Sequence, residues 1–217
     1  MGYHLAGFEV IGVDIEFQPH YPFEFHQADA LTYPLEGFVA YHASPPCKAD
    51  NQAVLCRSNA DELRRTYPRL ISPTRDRLLG TGKPFIIENV PLARKQLINP
   101  IMLCGTMFNL KVKRHRYFEL HGFEILLMPA CCSCKGKLGF TNASSGFSSF
   151  ANGAKLISVA GHNFSVKDAQ QAMGIDWMGQ DGLSQAIPYF YTQFIGKYLL
   201  EAITRDTDAA ARTFTEN

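Results

Sequence analysis

Two short apolar runs in the chain are each followed directly by polar or reactive residues. Residues 38–41, Phe-Val-Ala-Tyr, precede Ala43-Ser-Pro-Pro-Cys47, and residues 84–87, Pro-Phe-Ile-Ile, precede Glu88-Asn89-Val90. Apolar runs of this length are typical of buried strands in a parallel sheet. Because the carboxyl ends of parallel strands meet at one edge, the pattern predicts that a thiol and a carboxylate lie side by side there.

The first fifteen residues predict the end of a helix, a turn at Gly7 and a strand that closes on Asp14. An acidic residue at the end of such a strand accepts hydrogen bonds from ribose hydroxyls in dinucleotide and adenosyl-cofactor folds. Asp14 fits this role, with Glu16 as a nearby substitute. The alternative is a solvated carboxylate at a strand end.

The C-terminal part of the chain carries clear helix signals. Ser165 is the expected N-cap of a helix over 166–173, and Gly174 is expected just past its end. A second helix begins at Pro188 and runs to about Ile203, with an apolar face that closes the sheet. The polar residues 205–217 are expected to fray.

Composition limits the class of protein. The chain has 217 residues, of which 46% are hydrophobic, which is enough for one sizeable core plus an insertion. The net charge of +1 neither requires nor excludes nucleic acid, so a DNA partner would need local basic patches. Six cysteines without even spacing, no basic-plus-apolar leader and no run long enough to cross a bilayer predict a soluble cytoplasmic protein.

Four motifs in order resemble those of DNA cytosine-5 methyltransferases, most of all the short versions carried by bacteriophages. Ser44-Pro45-Pro46-Cys47 and Glu88-Asn89-Val90 resemble the family's Pro-Pro-Cys and Glu-Asn-Val motifs. Lys113-Arg114-His115-Arg116 resembles its arginine motif, and Ser184-Gln185-Ala186-Ile187-Pro188 resembles its C-terminal Gly-Asn-Ser/Ala-Val-Pro segment. The resemblance extends from Gly2 to about Leu200.

The resemblance implies four catalytic residues. Cys47 would be the nucleophile that adds to C6 of cytosine, and Glu88 would support N3 and bind the exocyclic amine. Arg114 and Arg116 would hold the base and its backbone. From the residues alone, Glu88 has the alternative of a buried structural glutamate.

The resemblance also implies S-adenosylmethionine as cofactor, with a site lined by Asp14, Asp29, Pro45, Gln185 and Ala186. Asp29 matches the position that accepts from the adenine amino group; its alternative is a cap for the turn before Leu31. Family members open with a strand and a glycine-rich turn, Phe-x-Gly-x-Gly, which is not found ahead of Gly2. We therefore expect the natural start to lie upstream of Met1, rather than a chain shortened by nature.

Candidate DNA contacts lie near both motifs. Lys48 stands where glutamine is usual and is a candidate for a phosphate contact, and Asn89 is expected to hold the active loop and to lie at the DNA interface. The most basic region of the chain follows and includes Arg64 and Arg65. It is either a phosphate-contacting rim or a solvated helix face. Its six arginines are Arg57, Arg64, Arg65, Arg69, Arg75 and Arg77.

Residues 121–163 break the periodicity and match the place where the family inserts its target-recognition region. Cys131, Cys132, Cys134 and His162 are candidate zinc ligands within it. Their spacing is not a paired Cys-x2-Cys arrangement, so we predict unpaired thiols and no metal. Cys104-Gly105, in an apolar strand with a tight turn, receives no chemical role.

These observations predict an α/β protein with a doubly wound, Rossmann-like methyltransferase sheet and a small recognition insertion. Residues 1–120 would form the catalytic core, 121–163 the insertion, and 164–217 the part that completes the core. The expected activity is methyl transfer to C5 of a cytosine flipped out of duplex DNA, by a monomer. The alternatives are a DNA-binding remnant or decoy that cannot hold the cofactor, and a zinc or redox protein built on residues 131–134.

Overall fold

The structure is a computed structural model that describes residues 1–46, 62, 68–134, 138–139, 153 and 155–215. Its helices are α1 (Gly2–Leu5), α2 (Ile71–Leu79), α3 (Val166–Met173), α4 (Gln180–Gln185) and α5 (Tyr189–Thr215). Its strands are β1 (Ile11–Asp14), β2 (Glu24–Gln27), β3 (Tyr41–Ala43), β4 (Phe85–Asn89), β5 (Ile101–Leu103), β6 (Arg116–His121), β7 (Leu138–Gly139) and β8 (Leu156–Ile157). Within these described ranges, 3₁₀ helices span Pro91–Gln96 and Gly105–Phe108.

A four-stranded mixed sheet forms the centre of the molecule, in the order β3-β4-β6-β5. β3 and β4 are parallel, whereas β6 is antiparallel to both β4 and β5. β1 and β2 form a separate parallel pair, and no strand pairing joins the two sheets within the described ranges. The predicted α/β class is confirmed.

The two faces of β4 are buried against different elements because its side chains alternate. Phe85 and Ile87 pack in a cluster with Ile71 and Leu78 of α2, while Ile86 faces a second cluster. That second cluster contains the buried residues Ile86, Leu103, Phe118, Tyr191, Ile195 and Leu199. Helices thus cover both faces, and the predicted apolar face of the last helix does close the sheet.

The N-terminal elements match the sequence prediction. α1 is followed by Gly7 at a φ of 105°, and β1 closes on Asp14. α1 packs against α5, and a Cβ on Gly2 would lie 2.2 Å from the carbonyl oxygen of Tyr189. Glycine at position 2 is therefore what allows α1 to approach the start of α5 so closely.

A third apolar cluster lies beyond the sheet, around α3. Val112, Ile157, Val159, Met173 and Leu183 are all buried there. Two backbone hydrogen bonds join β8 to residues 111–113. Lys113 N donates to Ile157 O, and Ile157 N donates to Lys111 O, both at 2.9 Å. The cluster therefore joins residues on both sides of position 163, the predicted end of the insertion.

The last helix is longer than the sequence predicted. We expected it to end near Ile203, with residues 205–217 frayed, but α5 continues to Thr215. That expectation was wrong because it weighed polarity alone: residues 209–211 are three alanines, the best helix formers, and neither Gly nor Pro follows Gly196 to stop the helix. None of the helices in the described ranges is long and apolar enough to cross a membrane.

Changing Ser165 to alanine is expected to destabilise the fold by about 1 kcal/mol. The predicted helix over 166–173 is confirmed, and its N-cap Ser165 accepts a hydrogen bond from Asp168 N at 3.4 Å. Alanine leaves that backbone donor without its cap, whereas threonine keeps a capping hydroxyl. Urea denaturation of the Ser165→Ala and Ser165→Thr chains measures the difference, and equal midpoints would show that the cap contributes nothing.

Candidate active site

The carboxyl ends of β3 and β4 lie side by side, as the apolar pattern predicts. The two strands are parallel, and their register pairs His42 with Ile86 and Ala43 with Ile87. Residues 44–46, which follow β3, are therefore next to Glu88, the fourth residue of β4. Cys47 and Lys48, which come next in the chain, lie outside the described residues.

Glu88 is a buried carboxylic acid, 7% exposed. Burial raises the pKa of Glu88, although a hydrogen bond with Ser44 and the positive charges of Arg116 and Arg114 each lower it in part. Arg116 is the nearest of these charges, with its Nε 2.9 Å from Glu88 Oε1. The cost of removing the carboxylate from water thus outweighs the effect of these partners, and the net shift of the Glu88 pKa is upward.

One oxygen of Glu88 keeps hydrogen-bonding capacity that the described residues leave unused. Oε1 is buried and accepts no hydrogen bond from any of them. The guanidinium of Arg116 is close enough for an ion pair, but its N–H is not aimed at Oε1, and its Nη1 donates to the carbonyl oxygen of His115 at 2.9 Å. A buried oxygen without a hydrogen bond is rare in folded proteins, and a catalytic role is one explanation for it.

Asn89 ties the end of β4 to the loop that leads to Cys47. Its Nδ2 donates to the carbonyl oxygen of Pro45 at 3.0 Å, and its Oδ1 accepts from Val90 N at 2.9 Å. Asn89 is 2% exposed. Its amide is therefore placed to hold the loop, which is the first of the two roles expected for it, and Pro45 takes part through its carbonyl oxygen.

A line of polar side chains that the sequence did not reveal runs beside Glu88. The Tyr3 hydroxyl lies 2.7 Å from His42 Nδ1, and His42 Nε2 lies 3.1 Å from Ser44 Oγ. Burial lowers the pKa of His42 to about 4, so this imidazole is neutral at physiological pH. The available signal was strand alternation, which places His42 and Ser44 on one side of β3 and its extension.

Arg114 and Arg116 hold different parts of the molecule. Arg114 is 5% exposed, and its guanidinium donates to the carbonyl oxygens of Val159 and, at 2.8 Å, of Ser184. The Tyr191 hydroxyl donates to the Arg114 carbonyl oxygen at 2.7 Å. Arg114 thus joins the third cluster to the sheet, whereas Arg116 is the arginine that reaches Glu88.

The residues proposed for the cofactor lie at three places in the fold, one of which is the loop of Pro45 after β3. Asp14 is the last residue of β1, and Asp29 follows the parallel strand β2. Oδ1 of each accepts a backbone N–H at 2.8 Å, from Glu16 and Leu31 respectively. The turn-capping alternative for Asp29 is thus present in the structure, although a carboxylate has further acceptor positions. Gln185 ends α4 and is exposed, and Ala186 packs against the third cluster.

The basic region divides into two parts. Arg64 and Arg65, the proposed DNA contacts, lie outside the described residues, as does Arg57. Arg75 and Arg77 are directed into the fold: Arg75 pairs with Glu119, and Arg77 Nη1 donates to the carbonyl oxygen of Leu31 at 2.6 Å. For these two arginines neither alternative, a phosphate-contacting rim or a solvated helix face, describes the structure, because internal acceptors already occupy them.

Comparison with known proteins places this arrangement among solved folds. No protein-family model and no curated protein sequence matches the chain. Among solved structures, a protein described as a DNA modification methyltransferase encoded within a prophage (E. coli) matches with a TM-score of 0.57 and 13% identity, over 94% of this chain and 95% of that one. The Entamoeba histolytica methyltransferase EhMeth matches with a TM-score of 0.57 and 12% identity, over 92% and 94%. The chain shares the fold of these two methyltransferases. At such identities the likeness establishes the fold alone.

Proposed function

We propose that the chain is a DNA cytosine-5 methyltransferase that uses S-adenosylmethionine and acts through a covalent adduct of Cys47. The observation that carries the proposal is Glu88: a buried carboxyl group with a raised pKa, at the end of the strand beside the Cys47 loop. Support also comes from the shared fold and from the neighbour described as a DNA modification methyltransferase.

Glu88 has the properties that attack on a cytosine ring requires. A thiolate adds to C6 readily when the ring nitrogen N3 accepts a proton or a hydrogen bond. A protonated carboxyl group can donate that hydrogen bond, and its second oxygen can accept one from the exocyclic amine. The unused capacity of Oε1 fits this task, and Arg116 is placed to stabilise the carboxylate that remains once the proton has moved.

The bonds made and broken by the protein follow from this assignment. The Cys47 thiolate forms a bond to C6 of a cytosine that has been flipped out of the duplex, and the ring electron pair moves to C5 as N3 takes the Glu88 proton. S-adenosylmethionine, when bound, supplies the electrophilic methyl group for C5. Loss of the C5 proton to a base then expels Cys47 and restores the aromatic ring, and N3 returns its proton to Glu88. Asn89 keeps the loop of Cys47 in place through Pro45.

The residues at the carboxyl edge of β1 and β2 fit the proposed cofactor. Ribose hydroxyls and an adenine amino group are hydrogen-bond donors, and Asp14 and Asp29 place two carboxylates at one edge of a parallel pair. Gln185 and Ala186 would complete the pocket from α4. In the proposed complex, Lys48, Arg64 and Arg65 contact phosphates of the duplex.

A covalent trap tests the proposal directly. The chain is incubated with S-adenosylmethionine and duplex DNA that carries 5-fluorocytosine, because fluorine at C5 prevents the final elimination and leaves the protein attached. On a denaturing gel we expect a shifted band with the wild-type chain and none with Cys47→Ser or without cofactor. A wild-type chain that binds the duplex but gives no band would contradict the proposal and favour the decoy.

A further inference from the structure

Four metal-binding side chains that the sequence did not group together converge at one end of the central sheet. Their ligand atoms, three sulfurs and one imidazole nitrogen, all lie within 4.8 Å of one another. Cys134 Sγ is 3.1 Å from both Cys104 Sγ and His115 Nε2, and Cys132 Sγ is 2.7 Å from Cys134 Sγ and 3.4 Å from His115 Nε2. We propose that Cys104, His115, Cys132 and Cys134 bind one zinc ion.

The separations favour a shared ion over four independent side chains. Neutral groups pack with heavy atoms roughly 3.5–4.0 Å apart, and all four of these contacts are closer than that. The cysteines are free rather than joined as disulfides. In a tetrahedral site with Zn–S near 2.3 Å, sulfur atoms stand about 3.8 Å apart, so a modest outward movement of these side chains would accommodate the ion.

The ligand set identifies the class of metal site. Three thiolates and one imidazole make a Cys₃His set, which is characteristic of structural zinc, and four protein ligands leave no open position for catalysis. Cys104 has no exposed surface, while the other three ligands are half-buried. Deprotonated thiolates packed together at such a place need a cation to offset their charge.

A second layer of contacts orients the sulfurs. The Thr106 hydroxyl lies 3.5 Å from Cys104 Sγ and from Cys132 Sγ, and 3.7 Å from Cys134 Sγ. Thr106 Oγ1 also accepts from Ser133 N at 3.2 Å. Groups of this kind around the ligands commonly fix the geometry of a metal site.

The cluster differs from the one considered from the sequence. Cys131 is exposed, and His162 Nε2 lies 2.7 Å from Asp181 Oδ1, so neither belongs to the four. The missing ligands were Cys104, at the start of the 3₁₀ helix Gly105–Phe108, and His115, just before β6. For this segment, the zinc proposal replaces the sequence-based expectation of unpaired thiols and no metal.

The site would fasten the segment of residues 131–134 to the sheet. β5 ends just before Cys104 and pairs with β6, which begins just after His115. His115 stands between Arg114 and Arg116, so the ion would also fix the backbone that carries both arginines. The zinc proposal stands on these four residues and does not depend on the proposed methyl transfer.

Elemental analysis of the full chain, purified without added metal, is the first test. We expect about one zinc ion per chain in the wild type and a loss of most of it in Cys132→Ser and His115→Ala. Cys131→Ser and His162→Ala are matched controls and should keep the wild-type content. A wild-type chain with no metal, with a different metal or with a disulfide among these cysteines would overturn the proposal, as would full zinc content in both ligand variants.

A second measurement on the wild-type chain covers the case in which the ligand variants fail to fold. Replacing zinc with Co²⁺ should give intense sulfur-to-cobalt charge-transfer absorption together with visible bands of tetrahedral cobalt. Chelation should lower the midpoint of thermal unfolding, and adding Zn²⁺ back should restore it. Octahedral, weakly absorbing cobalt, or a midpoint unaffected by chelation of the bound metal, would overturn a structural thiolate site.

Discussion

Changing Glu88 to glutamine is expected to lower the rate of methyl transfer by about 10²- to 10⁴-fold, the usual contribution of a general acid, without destabilising the fold at neutral pH. The rate should fall because an amide cannot give a proton to N3 of cytosine. The stability should hold because the fold already favours the neutral form of this side chain. A buried structural glutamate would behave in the opposite way.

The expected stability follows from the raised pKa of Glu88. Because the folded chain holds this proton more tightly than the unfolded chain, the free energy of unfolding falls as pH rises between the two pKa values. The destabilisation caused by ionising the buried Glu88 is absent at pH values below the pKa of this group in the unfolded chain, about 4.3. It reaches its full size at pH values above the pKa of this group in the folded chain. Glutamine is neutral at every pH, so the variant should lack this dependence and be at least as stable as the wild type at pH 7.

Urea denaturation of both chains over a series of pH values measures this difference. Glu124→Gln, at an exposed position, is the matched control and should follow the wild-type curve. Single-turnover methyl transfer measures the rate. Loss of stability at pH 7 in Glu88→Gln would mean that Glu88 is ionised and that its pair with Arg116 serves the fold, which would remove the main support for the proposed chemistry.

Local signals explain most of what the sequence predicted correctly. Ser165 and Gly174 carry the chemistry of a helix start and a helix end, so the bounds of that helix follow from residues close in sequence. The apolar run before Glu88 likewise indicates the buried strand β4, and parallel pairing places the carboxyl ends of β3 and β4 together. The prediction of a buried strand over residues 38–41 was wrong in its bounds and burial, because β3 spans Tyr41–Ala43, is half-buried and leaves Val39 54% exposed. Each inference needed one short stretch and one general rule.

The zinc candidates show where such reasoning fails. Cys104 and His115 approach Cys132 and Cys134 because β5 pairs with β6 and the later segment folds back, and spacing along the chain encodes neither event. The candidates taken from residues 121–163 included Cys131 and His162 instead, of which Cys131 is exposed and His162 contacts Asp181. The arginines of the basic region show the same limit, because Arg75 finds its partner 44 residues further on.

Changing Arg75 to alanine is expected to destabilise the fold by about 3–5 kcal/mol, because it leaves a buried carboxylate without its cation. Arg75 Nε and Nη2 donate to the two carboxylate oxygens of Glu119 at 2.7 Å each, and Nη2 also donates to the Gln96 carbonyl oxygen at 2.7 Å. Glu119 is 3% exposed and also accepts from Ile98 N at 2.8 Å. This bidentate pair fastens α2 and the 3₁₀ helix Pro91–Gln96 to β6.

Urea denaturation of matched variants distinguishes the free energy lost with this ion pair from the general effect of removing an arginine. Arg69→Ala, at an exposed position nearby, should change the free energy of unfolding by less than about 0.5 kcal/mol. The double variant Arg75→Met with Glu119→Leu removes both charges and fills similar volume, so it should recover most of the loss seen in Arg75→Ala. If Arg75→Ala is no worse than Arg69→Ala, Arg75 does not fasten the fold, and a role at the surface with phosphate groups becomes the better explanation of its charge.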